Sequence, residues 1–145
     1  MSLSNFRTNP DKELHGVPVV FADYDRVCLT LARSTRNDRL KLEVERVTRE
    51  FRGRVGPTVD EERESALLLA WCRACILKWE TLEDRQTGKY VPGISWDGAL
   101  LPLTAENARM VFETRGLEDF REQVMFQARN AENFRDRILE SDTGN

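Results

Sequence analysis

The sequence predicts an α+β fold that is mainly α. An N-terminal β-hairpin packs on a central long helix, and three short C-terminal helices follow. Three observations predict it. Apolar residues alternate between Val17 and Leu31, the two-residue period of a strand. The stretch from Thr58 to Trp79 is apolar on most sides at helical spacing. The last third breaks into short helical stretches at Gly116 and near Asn130. A chain of 145 residues, 40% apolar, can close one core. The expected organisation is a flexible arm at 1–16, one mainly helical domain at 17–140 and a disordered tail at 141–145.

Each element has its own reason. Residues 1–16 show no sustained period. Val17, Val19 and Phe21 alternate, then Val27, Leu29 and Leu31, with the turn-tolerant Ala22-Asp23-Tyr24-Asp25 between them. Pro18 cannot donate to a ladder, which makes its strand an edge. Asn37 or Asp38 can cap a helix whose stripe is Leu40, Val44, Val47 and Phe51, ended by Gly53 and Gly56-Pro57. Thr58 to Glu61 reads as a capping box at the start of the central helix. Residues 80–102 read as a long irregular segment with turns at Thr87-Gly88, Pro92-Gly93 and Asp97-Gly98, and with room for a small hairpin. Thr104 caps a helix with Ala108, Val111 and Phe112 on one face. Leu117, Phe120, Val124 and Ala128 form the next stripe, and Phe134, Ile138 and Leu139 the last.

Composition narrows the function. Twenty-two basic residues nearly cancel 25 acidic ones, so the chain lacks the charge of a dedicated nucleic-acid domain. No apolar run reaches membrane-spanning length, and Met1 to Lys12 lacks a signal-peptide core, so a cytosolic location is expected. One histidine, His15, leaves little for triad or zinc chemistry. Cys72-Arg73-Ala74-Cys75 is formally a CxxC, but it sits more than three turns inside a helix, without the N-terminal dipole that activates a thiol. The acidic pairs Asp60/Glu61/Glu62, Glu118/Asp119 and Asp23/Asp25 sit at caps or turns. No phosphate-binding glycine loop is present. The expectation is a non-enzymatic protein with no metal and no cofactor. The basic stretch Arg33–Arg54 is interleaved with Glu43, Glu45 and Glu50, which suits a solvated face better than a phosphate track.

The order of the pieces resembles the tail assembly chaperones of long-tailed (siphovirus-like) phages and prophages. Gly16-Val17-Pro18-Val19 leads into a hairpin closing on Leu31-Ala32-Arg33. A charged helix follows, then a long alanine/leucine helix ending at Ile76-Leu77-Lys78-Trp79-Glu80. Asp97-Gly98 and the run Leu100-Leu101-Pro102-Leu103-Thr104-Ala105-Glu106-Asn107-Ala108 resemble a family stretch, as does Asn130-Ala131-Glu132-Asn133-Phe134 near the end. The similarity covers nearly all of the chain. One departure is the extended connector Thr81–Trp96, which is short in the family.

The resemblance implies a chaperone in the host bacterial cytoplasm, absent from the mature virion. Its partner would be the tape-measure protein, a very long, largely helical chain. A frameshifted, extended form would recruit the tail-tube protein, and a homo-oligomer is open. Trp79, Tyr90, Trp96, Leu100 and Leu101 are the candidate partner-binding residues, because exposed loop aromatics mark interaction surfaces. The rivals are a nucleic-acid-binding regulator using residues 33–54 and a small structural tail or neck protein.

Overall fold

The computed structural model describes residues 2–136. After a 3-10 turn at Leu3–Phe6 come helix α1 (Pro10–His15) and strands β1 (Val17–Phe21) and β2 (Val27–Leu31). Helices α2 (Asp38–Glu50) and α3 (Pro57–Cys75) follow, and α3 runs straight into β3 (Ile76–Asp84). Then come β4 (Lys89–Pro92), β5 (Ile94–Trp96), β6 (Ala99–Leu101), α4 (Ala105–Glu113) and α5 (Glu118–Arg129), with a last 3-10 turn at Ala131–Phe134.

Strands β1-β2-β3-β4 form an antiparallel sheet in that order, and β5-β6 form a second, two-stranded one. Residues directly opposite in a ladder share a face. Val19 faces Leu29, and Leu29 faces Trp79, so these three look into the core. Val20, Cys28, Glu80 and Pro92 make a row on the other face. The core face meets Leu68 and Cys72 of α3, Val111 and Phe112 of α4, and Phe120 and Val124 of α5. Phe112 stands edge-on to Phe120, with ring centroids 5.9 Å apart. Helix α2 lies outside this core, and a second cluster of Val47, Phe51 and Ala70 holds it against α3.

The expected mainly helical architecture is therefore corrected. The hairpin is half of a four-stranded sheet, not an isolated pair. The long helix stops at Cys75, and Ile76 to Trp79 open the longest strand rather than its last turn. Ile76 and Trp79 are three apart, which fits a helix face. Yet β2 has an open edge whose polar groups must be satisfied. Ala32 N–H donates to the Cys75 carbonyl (2.8 Å) and Leu31 pairs with Ile76. That demand outweighs the helical spacing. No glycine marks the change; Ile76 itself turns extended, at φ −100° and ψ 106°.

The segment 80–102 is not irregular but is two hairpins, β3–β4 and β5–β6. Two α-helices and a 3-10 turn stand where three helices were expected; Ile138 and Leu139 of the third, and the expected tail at 141–145, lie outside the described residues. The central helix starts at Pro57, where a proline suits the first position, and Gly56 caps it without a side-chain bond. Thr58 is thus inside the first turn and not the cap. Asn37 and Thr104 do cap α2 and α4, accepting from Leu40 N–H (2.9 Å) and Asn107 N–H (3.0 Å). Pro18 lies on an edge strand.

Residues 2–16, expected as a flexible arm, carry local structure that ties them to the body. Asn9 caps α1 and its N–H donates to the Phe134 carbonyl (2.7 Å). Lys12 donates to the Arg135 carbonyl (2.8 Å), and Arg33 pairs with Glu13. The arm joins the sheet at Gly16, whose φ is +84°. A Cβ there would lie 2.9 Å from Thr30 Cγ2 and 3.1 Å from the Leu31 carbonyl oxygen. Both strain and crowding therefore oppose a side chain.

Urea unfolding checks this packing. Leu29, fully buried, should cost about 2–5 kcal/mol as Leu29→Ala. Gly16→Ala should cost more than about 1 kcal/mol. Leu100→Ala, at a position 51% exposed, should stay within about 0.5 kcal/mol of the parent chain.

Candidate partner-binding groove

Helix α3 has more apolar surface than the core uses. Leu68 and Cys72 enter the main core, and Ala70 faces α2. Between those two faces, Leu67 and Trp71, beside Leu68, form the floor of an open groove of about 640 Å³. Helix α2 makes one wall with Leu40 and Val44, one turn apart. Helix α5 makes the other with Arg121 and Met125, again one turn apart. Trp71 is held by an edge-on contact with Phe112, with centroids 6.3 Å apart.

The rim is acidic. Glu61 and Glu64 rise from α3, Glu113 from α4 and Glu122 from α5. Arg121 is the one cation among the lining residues. Ser65 donates to Glu113 Oε2 (2.7 Å), which links α3 to α4 at this edge. The floor is apolar and the rim charged, the arrangement by which a surface buries an amphipathic partner.

The five residues expected from the sequence lie elsewhere. Trp79 is 2% exposed, and its indole N–H donates to the Leu101 carbonyl (3.0 Å). Trp96 and Leu101 are half-buried against the same core. Tyr90 is half-buried on β4, and its hydroxyl donates to the Arg26 carbonyl (2.8 Å), tying β4 to the turn before β2. Leu100 is exposed, and with Trp79 it borders a separate shallow dent of about 300 Å³. Four of the five thus serve the fold's own packing. The groove residues were legible only as one stripe: Leu40 and Val44 belong to the α2 pattern, while Trp71 reads as core because its neighbours are. What betrays the groove is that α3 is apolar on more sides than its two packing partners cover.

The thiols have no redox arrangement. Cys28, Cys72 and Cys75 are buried and unbridged. Burial pushes Cys72 and Cys75 up to about 12, the neighbouring Cys72 adding to the rise at Cys75. Burial also raises Cys28. They behave as small apolar side chains. Asp84 is shifted the other way: the backbone N–H groups of Gln86 and Thr87 hold its carboxylate below the usual range while it caps the β3–β4 turn. Among the described residues no group of three or more His, Cys, Asp and Glu is placed to hold a metal ion. No described helix is long and apolar enough to cross a membrane.

Three of the eight basic residues between Arg33 and Arg54 are committed to intramolecular ion pairs. Arg33 pairs with Glu13, Arg46 with the buried Glu43, and Arg54 with Glu62 (3.1 Å) while lying over the Phe51 ring. Comparison of the chain with protein-family models, with curated proteins and with solved structures finds no match.

Two measurements check the thiols. A disulfide reagent at about pH 8 should leave Cys72 and Cys75 unmodified until urea unfolds the chain. Stability should also be linked to alkaline pH. Both thiols stay protonated when folded, whereas in the unfolded chain they ionise from their ordinary value of 9.0. The unfolded state then binds fewer protons, so stability is level below that pH and falls as pH rises toward about 12. The urea midpoint at about pH 10 should lie below that at about pH 8, and the gap should shrink in Cys72→Ala/Cys75→Ala.

Proposed function

We propose that the chain is a tail assembly chaperone that holds helical stretches of a tape-measure protein in solution during tail assembly. The observation that carries this reading is the groove floored by helix α3 and walled by α2 and α5. Its walls offer no strand edge, so an extended peptide would find no backbone partners there. A helix brings its own hydrogen bonds and needs only apolar contact. A very long helical client with a recurring apolar stripe would otherwise expose an aggregation-prone surface.

The groove also suits temporary holding. It is open to solvent. Each engagement buries modest area, and a long client can engage many copies, so grip comes from number rather than from one tight site. Tube subunits closing around the client can then displace the chaperone copy by copy. On this reading the protein acts in the host bacterial cytoplasm and is absent from the finished particle. An extended, frameshifted form would add contact with the tail-tube protein.

The residues behind the family resemblance fit the same account by building the scaffold. Asp97-Gly98 turns β5 into β6, with φ +48° at Asp97 and +85° at Gly98. The Asn107 amide donates to the Pro102 carbonyl (2.9 Å) and fixes the entry to α4. Phe134 is fully buried.

Co-expression with a phage tape-measure protein tests this directly. The client should be soluble and co-purify with the parent chain. Val44→Glu, on the groove wall, should reduce the co-purified client at least about tenfold. Leu100→Glu and the pair Tyr90→Ala/Trp96→Ala should leave it within about twofold, provided circular dichroism shows each variant folded. Mass spectrometry of purified particles should find no trace of the chain. A client that stays soluble without it, or particles that contain it, would refute the proposal.

A further inference from the structure

Resting on that reading, we propose that the groove selects its client by charge: its occupant is an amphipathic helix whose apolar stripe is flanked by lysine or arginine. Carboxylates ring the floor of the groove. The whole chain is nearly balanced, with 22 basic and 25 acidic residues. The groove lining is not: Glu61, Glu64, Glu113 and Glu122 stand with a single lining cation, Arg121, and of the four only Glu113 is paired, with Arg109 at 3.9 Å. The imbalance is local to the groove side of α3. On the same helix Asp60 pairs with Arg63, and Glu62 with Arg54. No ion pair among the described residues uses Glu61, Glu64 or Glu122.

Glu61 and Glu64 stand on α3 and Glu122 on α5, around the apolar floor. A helix laid along the floor would put its apolar stripe on Leu67, Leu68, Trp71 and Met125 and its flanking positions beside the glutamates. Basic flanks gain charge-assisted contacts there, while acidic flanks meet like charge. Long basic side chains also cover apolar surface with their methylene stems. Pairs on an open rim are screened by salt, so the selectivity must weaken as ionic strength rises.

The test uses the full chain and labelled helical peptides of about five turns. They share one leucine stripe and differ only in flanks: lysine/arginine, glutamine or glutamate. By fluorescence anisotropy at low salt the basic peptide should bind at least about tenfold tighter than the acidic one. That ratio should shrink toward unity at about 0.5 M salt. Glu61→Lys/Glu64→Lys/Glu122→Lys, three exposed positions, should reverse the preference with the circular dichroism spectrum unchanged. Equal binding of both peptides, or a preference that survives the triple change, overturns the inference. So does a self-associated parent chain that the triple change turns monomeric, because that assigns the groove to a second copy. The two claims separate in the client experiment. A triple variant that still retains the tape-measure protein defeats charge selection and leaves the chaperone reading intact. A chain with the full peptide preference that never retains the client defeats the chaperone reading and leaves charge selection intact.

Discussion

The fold depends on the junction at Cys75–Ile76. Helix α3 becomes strand β3 with no loop between them, and β2 captures the junction through the Ala32 N–H to Cys75 carbonyl bond and the Leu31–Ile76 pair. A helix that continues as a strand cannot pivot against the sheet that strand belongs to. Everything packed on α3 therefore inherits a fixed position. On one side α4 and α5 bury their faces between α3 and the sheet. On another, α2 closes a separate small cluster of Val47, Phe51 and Ala70. The space left between α2 and α5 is the groove.

That arrangement explains why an apolar surface can stay open without collapsing. Filling the groove would require α2 to swing toward α5, breaking the cluster that anchors α2. The rim carboxylates Glu61, Glu64 and Glu122 are exposed around the open floor, where a basic partner can reach them.

Much of this was legible from residues. The period-two alternation in Val17–Leu31 gave β1 and β2, Pro18 marked the edge, and the Leu40/Val44/Val47/Phe51 stripe located α2. Thr104 announces its cap, and Asn37 is one of two residues, with Asp38, that could cap α2. The failures have a common physical source. Strand β3 could not be read because Ile76 and Trp79 satisfy helical spacing, and what makes them a strand is an unsatisfied edge on β2, about 45 residues away in sequence. With Ile76–Trp79 in helical spacing, residues 80–102 have no visible partner strand, so Tyr90 and Trp96 read as loop aromatics open to a partner. They are instead pieces of hairpins that need the sheet. The groove was hidden for the opposite reason: its residues carry an ordinary core pattern, and only the arrangement of α2 and α5 around α3 leaves them uncovered.

The most direct measurement of the central claim is site-specific photo-crosslinking in cells that also express the tape-measure protein. A photoreactive side chain at Val44 should cross-link to the client at positions spaced by three, four and seven residues along its helical stretches. The same group at Leu100 should give none. Cross-links from Leu100 with silence at Val44 would contradict the account and move the binding surface to the dent beside Trp79.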